Sequence, residues 1–149
     1  MVWAGRPIAG KMDAVDQRMG WCRMAIDPTG KDLKRFLAHE PERPVVMLNL
    51  LRFKDGGAEG YADYLRHFRR FAEQVGAAII YYGLGSDPIV AEQGQDWDAV
   101  LLVSYPSRYA FSEMVRDEEY QRGTHLRTDS LVEAVLQPTA DASPAVWDD

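Results

Sequence analysis

Two stretches of this chain are apolar at every successive position, and they constrain the fold more than any other feature. They are Val45–Leu48 and Val100–Val103. A strand that is open to water on one side alternates apolar and polar residues, whereas a strand covered on both sides does not. Both stretches are therefore predicted to be central strands of a sheet whose two faces are both covered.

These stretches belong to a regular succession of elements between Pro44 and Pro138. The strands are predicted at 44–53, 77–84, 98–105 and 131–136. The helices are predicted at 59–75, 108–115 and 118–123. This order predicts an α+β, ferredoxin-like βαββαβ domain, in which the helices cover one face of a four-stranded antiparallel sheet. A short additional strand is predicted at 89–92, and Pro138 is expected to end the last strand.

Capping residues outside the strands mark the helix boundaries. Thr29 and Asp32 have the spacing of a capping box, which predicts a helix from about residue 30 to residue 39. Ser107 is in the position of an N-cap for the helix after the third strand. Gly76 follows the long helix directly and is expected to end it.

The chain divides into three parts that differ in composition and in predicted secondary structure. Residues 1–43 form a predicted N-terminal extension with one or two helices, the first of them a weak signal around residues 14–25. Residues 44–138 form the predicted dimeric α/β-barrel domain, and residues 139–149 form a loose acidic tail. Met12 is an alternative start codon, which the sequence alone does not decide.

Charge and cysteine content exclude several classes of protein. The net charge of −6 argues against a nucleic-acid binder, and the group Arg66, Arg69 and Arg70 is typical of a solvated helix face. The single cysteine, Cys22, cannot form an intramolecular disulfide, and no signal-peptide core or membrane-spanning run is present. We therefore expect a cytoplasmic protein with neither nucleic-acid nor membrane partners.

The second apolar face of the sheet must find cover. Each of its side chains that stays exposed to water loses the roughly 1.5–3 kcal/mol of stabilising free energy that full burial would provide. A second copy of the same sheet is the simplest cover, so we predict a homodimer through sheet faces, with a ligand-sized hollow between them. The alternative is that the N-terminal extension covers this face within one chain.

Several features of the third strand and the following helix resemble a known family. They are a Trp97-Asp98 pair opening the strand, an apolar run ending at Pro106-Ser107, Phe111 in the helix, and Glu119-Tyr120 closing the helical region. Over about residues 44–139 the chain resembles a widespread bacterial family of unknown function in the dimeric α/β-barrel superfamily. That superfamily includes cofactor-independent monooxygenases, haem-degrading oxygenases, chlorite dismutases and muconolactone isomerases. The resemblance implies a fold and not a single reaction.

Asn49 and His125 are the candidate catalytic residues. Asn49 interrupts an apolar strand, where a primary amide costs free energy unless it finds partners. It either orients a ligand in the interior or is satisfied by neighbouring protein groups. Histidine is the usual side chain for proton transfer at neutral pH, which makes His125 a candidate acid or base, although a surface role is the alternative. Asn49, Trp97 and His125 also match the residue types of haem-degrading relatives, without reproducing their motifs.

Six further residues are predicted to contact substrate. Aromatic rings suit the walls of an apolar cavity, and arginines at strand or helix ends can bind a ligand carboxylate. Each has an alternative structural role, as a strand anchor, a buried ring or an ion pair. The predicted substrate-binding residues are Arg52, Tyr81, Tyr82, Trp97, Tyr105 and Arg127.

No motif indicates a metal or a cofactor. The chain has no His-x-His, no His-Glu-x-x-His and no cysteine pair, and Gly83-Leu84-Gly85 lacks the third glycine of a phosphate-binding loop. We therefore predict no metal site and no cofactor. The leading hypothesis is a small-molecule-binding barrel acting as a cofactor-independent monooxygenase or isomerase on a small substrate, for example an aromatic one. A non-catalytic ligand-binding or stress-related protein and a purely structural dimer module are the alternatives.

Overall fold

One four-stranded antiparallel sheet organises the chain, of which the computed structural model describes residues 25–147. Its strands are β1 (Val45–Phe53), β2 (Ala78–Leu84), β3 (Ala99–Tyr105) and β4 (Leu131–Thr139). They lie in the order β2-β3-β1-β4, so the two strands predicted to be central, β1 and β3, occupy the middle. The α+β class and the ferredoxin-like βαββαβ order are confirmed.

The helices begin at residues suited to starting them. They are α1 (Gly30–Leu37), α2 (Gly57–Gln74), α3 (Arg108–Arg116), α4 (Glu118–Arg122), α5 (His125–Thr128) and α6 (Pro144–Trp147). Thr29 and Asp32 form the predicted capping box of α1. The Ser107 side chain accepts a hydrogen bond from the backbone of Ala110 at the start of α3. Gly76 follows α2 with a positive φ of 77°, a conformation that glycine adopts without strain.

Strand register decides which side chains meet the helices. On β1, Asn49 lies opposite Leu101 of β3 and Leu136 of β4. Because side chains alternate along a strand, these residues share one face, which we call the inner face. The next residue, Leu48, lies opposite Leu102 and belongs to the outer face. The helices pack on the inner face, where aromatic residues of α2 and α3 complete the core.

The outer face is apolar, as the two uninterrupted stretches predict. Its side chains are only partly buried in the single chain, because none of the helices in residues 25–147 lies over them. Its apolar members are Val46, Leu48, Leu50, Val100, Leu102 and Val135.

Helix α1 packs on the helical side of the sheet. The ring of Phe36 on α1 meets Phe111 of α3 edge to face at 5.5 Å between centroids. The part of the N-terminal extension that the structure describes therefore leaves the outer face uncovered. The helix predicted around residues 14–25 lies outside the described residues, apart from Ala25.

Two predicted details of the sheet are wrong. No strand forms at residues 89–92, where Ile89 and Val90 are 92% and 87% exposed and have no neighbouring strand to pair with. Strand β4 continues past Leu136 to Thr139, with Pro138 opposite Met47. Proline is tolerated there because β4 is an edge strand, so the missing N–H interrupts no second ladder.

The two N-caps predict different costs of substitution. Ser107→Ala should lower the free energy of unfolding by about 1 kcal/mol, because α3 carries four buried residues and cannot fray without exposing them. Thr29→Ala should lower it by less, since α1 has no fully buried residue and can fray by itself. Urea unfolding of both variants checks this, and an equal loss would contradict it.

Candidate functional site

A cavity of about 190 Å³ lies between the inner face of the sheet and the helices α2, α3 and α5. Its sheet wall is largely apolar, with Met47, Leu101 and Val103. Tyrosines supply much of its polar lining, and they are Tyr61, Tyr64, Tyr105 and Tyr120. An apolar enclosure with a few convergent polar groups is the usual form of a small-molecule site.

Arg127 supplies the positive charge of this cavity. Arg127 is only 6% exposed. Because arginine is rarely buried without partners, its contacts define this part of the wall. Its Nη1 donates to the backbone carbonyl of Ile26 at 2.5 Å and pairs with the carboxylate of Asp27. The Thr128 hydroxyl donates to the other oxygen of Asp27 at 2.9 Å. Helix α5 and the segment before α1 are thus joined at the wall of the cavity.

Two donors in this region have no partner among residues 25–147. They are the phenol oxygen of Tyr61 and Nη2 of Arg127, both buried. Burial raises the pKa of Tyr61, and the nearby Arg127 charge opposes part of that rise. Neither atom makes a hydrogen bond of good geometry, but hydrogen bonding from the Arg127 side chain also lowers the pKa of Tyr61, so the two groups lie side by side in the buried wall.

The phenols of Tyr64 and Tyr120 form a second polar pair in the wall. Their oxygens lie 2.8 Å apart, and the His67 ring stacks on Tyr120 with its Nε2 2.9 Å from the Tyr120 carbonyl oxygen. Burial raises the pKa of Tyr64 and of Tyr105 well above the ordinary tyrosine value. These phenols are therefore neutral hydrogen-bonding groups at physiological pH and not bases.

Asn49 is buried on the inner face and lines the cavity. Its amide nitrogen donates to the carbonyl of Leu101 at 3.3 Å and, at the limit of hydrogen bonding, to Met47 at 3.5 Å. Neighbouring backbone carbonyls therefore satisfy the amide nitrogen of Asn49, as one of the two sequence-based alternatives predicts. The side chain also forms part of the cavity wall, where the other alternative requires it to be. The hollow was predicted between two sheets, but Asn49 lies on the helical side, because odd-numbered residues of β1 face the helices.

A larger groove of about 490 Å³ lies beside the cavity, between α1 and strand β4. It is more open and is lined by Leu33, Phe36 and His39 on its helical side. Asp27 and Met47 belong to the walls of both spaces. The cavity and the groove are therefore adjacent.

The structure brings three of the eight predicted site residues to the cavity. Asn49, Tyr105 and Arg127 all line it. Tyr82 lies on the same side of the sheet, with its ring 6.2 Å from that of Tyr61, but it is outside the lining.

Three other predicted residues lie on or beside the outer face. Arg52 pairs with Glu133, donates to the backbone of Asp96 and Gly94, and stacks over Trp97 at 4.7 Å. Its guanidinium thus anchors the loop before β3. Tyr81 is 56% exposed and its ring lies against Gly83, where the absent Cβ leaves room for it. Side-chain alternation therefore separates these residues from the cavity.

His125 is exposed at the start of α5 and does not line the cavity. Its Nδ1 lies 3.0 Å from the carbonyl of Arg122, so the ring is held by the helix turn before it. The cavity-lining neighbour on this helix is Arg127, two positions further. A catalytic role for His125 stays a prediction.

Tyr61 and Asp27 are functional candidates that the sequence analysis missed. Tyr61 was interpreted only as part of the apolar stripe of α2, and Asp27 only as a turn residue before α1. The signal for the first was the tyrosine pair Tyr61 and Tyr64 on a buried helix face, since each buried phenol needs a partner. No local signal marks Asp27, because its partner lies 100 residues away.

Two other kinds of functional feature, a group of metal ligands and a membrane-spanning helix, are absent from the described residues. No group of three or more His, Cys, Asp and Glu that could hold a metal ion occurs within residues 25–147. In the same part of the chain, no helix combines the length and apolar character needed to cross a bilayer. The cavity is thus the candidate site on which the function is argued below.

Comparison with solved structures identifies relatives of this chain. The protein RPA0582 from Rhodopseudomonas palustris, of unknown function, is 31% identical with a TM-score of 0.72, over 79% of this chain and 97% of that chain. Methylated RPA0582 is 32% identical with a TM-score of 0.74, over 81% and 97%. This chain belongs to the RPA0582 family. The resemblance to a bacterial family of unknown function is confirmed.

More distant structures share the fold alone with the RPA0582 family member described here. A dimeric ferredoxin-like protein of unknown function from Jannaschia sp. is 10% identical, with a TM-score of 0.52 over 66% of this chain and 99% of that chain. A hydroxynitrile lyase from Passiflora edulis is 9% identical, with a TM-score of 0.54 over 68% and 97%. No protein-family profile and no curated protein matches the chain.

Two tyrosine substitutions should differ in their effect on stability. Tyr64→Phe should lower the free energy of unfolding by about 1–2 kcal/mol, because it leaves the buried Tyr120 hydroxyl without its partner. Tyr61→Phe removes a hydroxyl that has no partner among residues 25–147, so stability should stay the same or rise. Urea unfolding distinguishes the two, and a clear loss for Tyr61→Phe would show a structural bond there.

Proposed function

We propose that the cavity binds a small, largely apolar molecule, and that the protein acts on it as a cofactor-independent monooxygenase or isomerase. The observation that supports this is a half-open pocket whose apolar walls carry buried polar groups, Asn49 and Arg127 among them. The volume of about 190 Å³ is below the roughly 300–1,000 Å³ of sites for drug-sized molecules, so the proposed ligand is a small one. The site lies within one chain, so each copy carries its own.

Charge stabilisation connects the cavity to these two reaction classes. Both begin when a carbon or oxygen acid loses a proton, which leaves negative charge on an oxygen of the substrate. A buried guanidinium and neutral phenols stabilise such charge strongly, because water does not compete with them. In this proposal Asn49 orients the substrate, and His125 moves a proton only if the substrate reaches the exposed start of α5.

A non-catalytic ligand-binding protein is the second candidate. Asp27 is the only carboxylate among the described lining residues of the cavity, and it is paired with Arg127. No histidine lines the cavity in residues 25–147. The scarcity of bases favours binding without turnover, and ligand stabilisation without product formation would support it.

The assembly that we propose is a homodimer through the outer faces of two sheets. The outer face is an apolar surface that the described helices leave open, and burying aliphatic side chains stabilises by roughly 1.5–3 kcal/mol for each one fully covered. In a dimer with a two-fold axis, the outer face of one copy packs against the same face of the other copy. The dimeric ferredoxin-like protein from Jannaschia sp. shows that this fold supports self-association. The proposed location is the cytoplasm.

A charge on the outer face should break this dimer. Leu48→Glu places a carboxylate at the centre of the proposed interface, where it would be buried without a partner. Sedimentation should show a dimer for the natural chain and a folded monomer for the variant. Ile89→Glu is the matched control, since that residue is 92% exposed and lies outside the sheet. A natural chain that sediments as a monomer would overturn the proposed assembly.

Ligand binding should depend on the amide in the cavity. A thermal melt screen of small aromatic compounds and haem should yield ligands that raise Tm. Asn49→Leu keeps the branched shape and the number of heavy atoms and removes one hydrogen bond to the ligand, so it should weaken binding by a few-fold to about tenfold. Product formation in the presence of oxygen then separates an enzyme from a binding protein.

Normal turnover by both Asn49→Leu and His125→Ala would overturn the roles proposed for these residues. If no compound raises Tm and no product forms, the small-molecule function itself is wrong. Circular dichroism of each variant confirms that the fold is retained before binding is compared.

A further inference from the structure

The register of β1 and β3 sets three rows of side chains along the sheet wall of the cavity. The rows, in order along the sheet, are Asn49 with Leu101, Met47 with Val103, and Val45 with Tyr105. All of these residues except Val45 line the cavity. Neighbouring rows on one face are two residues apart along each strand, roughly 7 Å at about 3.3 Å per residue. The wall is therefore apolar in the middle, with the Asn49 amide and the Tyr105 phenol at its two ends.

The oxygen of the Asn49 amide is the atom that remains for a ligand. The amide nitrogen lies 3.3 Å from the carbonyl oxygen of Leu101 and 3.5 Å from that of Met47. Because carbonyl oxygens only accept hydrogen bonds, the atom that faces them must be the nitrogen, and Oδ1 faces away from them. Within residues 25–147, no group donates a hydrogen bond to this oxygen.

The Tyr105 hydroxyl is the second polar group of the wall without a hydrogen bond in the described part of the chain. Burial raises the pKa of Tyr105, and the nearby Tyr120 and Tyr61 phenols add to the rise. The hydroxyl therefore lies near other phenols of the cavity and stays protonated. In this state it can both donate and accept a hydrogen bond.

Both atoms keep a surface that a small molecule in the cavity can touch. Among residues 25–147, the side-chain polar atoms that are unpaired and also sealed from solvent are the Tyr61 oxygen and Nη2 of Arg127. Oδ1 of Asn49 and the Tyr105 hydroxyl are unpaired but not sealed, so the small exposed fractions of these residues, 6% and 4%, include them. Since both residues line the cavity, this surface belongs to its wall.

We infer that the cavity selects a neutral, elongated molecule with an apolar middle, an O–H or N–H donor for Oδ1 of Asn49 at one end, and an oxygen acceptor for the Tyr105 hydroxyl at the other. This inference rests on the proposed function, because it requires a ligand in the cavity. It adds the chemical class of that ligand and its orientation along the sheet. Met47 and Val103 contact the apolar middle.

The Asn49 oxygen favours this class over two others. A ligand without a donor covers Oδ1 and leaves it without a hydrogen bond, which costs the free energy of removing that oxygen from water. An ionised ligand pays a larger cost, because it leaves water for a space whose sheet wall is largely apolar. A neutral molecule with a hydroxyl or N–H group avoids both costs.

The test compares three small aromatic compounds by calorimetry on the full chain, at a pH that keeps phenols neutral. 4-Hydroxyacetophenone carries a donor and an acceptor at opposite ends of a ring. 4-Fluoroacetophenone has fluorine in place of the hydroxyl and loses the donor, whereas 4-ethylphenol loses the carbonyl acceptor. We expect 4-hydroxyacetophenone to bind a few-fold to about tenfold more tightly than either, since each of the others lacks one neutral hydrogen bond.

Two variants assign the two ends of the ligand. Asn49→Leu should abolish the preference for 4-hydroxyacetophenone over 4-fluoroacetophenone, because it removes the acceptor for the hydroxyl. Unchanged binding of 4-fluoroacetophenone by this variant shows that its cavity is intact. Tyr105→Phe should abolish the preference over 4-ethylphenol and leave the first preference in place. Tyr109→Phe, an exposed ring on α3, is the matched control and should change neither preference.

The outcomes separate this inference from the proposed function. If the natural chain binds 4-hydroxyacetophenone and 4-fluoroacetophenone equally, the donor requirement is wrong while the small-molecule cavity stands. If Asn49→Leu and Tyr105→Phe lose the same preference, the orientation is wrong. If none of the three compounds binds at millimolar concentration, the inference is overturned, and the broader thermal melt screen decides the proposed function separately.

Discussion

The pairing of β1 with β3 on one side and β4 on the other is the constraint on which the rest of the structure depends. It places Asn49 level with Leu101 and Leu136, so that this amide faces the helices. A slip of one residue would exchange the two faces of β1 and move its buried side chains to the open side. Cavity, core and outer surface therefore all follow from one register.

Much of the fold was accessible from sequence because its signals are local. The apolar stretches of β1 and β3, the stripe of α2 and the caps at Thr29 and Ser107 each depend on neighbouring residues only. The errors arose where tertiary context decides. Ile89 and Val90 have strand-like side chains but no strand beside them, and Pro138 continues β4 only because no further strand pairs with that edge.

The site was only partly predictable, for a physical reason. Anomalous polar residues such as Asn49 stand out in an apolar strand, and Arg127 was named for its charge. Tyr61 carries a hydroxyl on a residue that periodicity counts as apolar, so its unpaired donor became visible only in three dimensions. The alternation of side chains along the strands also places Tyr81 and Arg52 on the outer side of the sheet, away from the cavity. The positions of these residues in the sequence do not reveal which face they occupy.

The bond from Arg127 to Ile26 and Asp27 has a consequence for the segment that precedes α1. That segment is a wall of the cavity and is held there by the same side chain that faces its interior. A ligand that ordered the Arg127 guanidinium would therefore also make the backbone around Asp27 harder for a protease to cut, and cleavage there would in turn weaken the binding of that ligand.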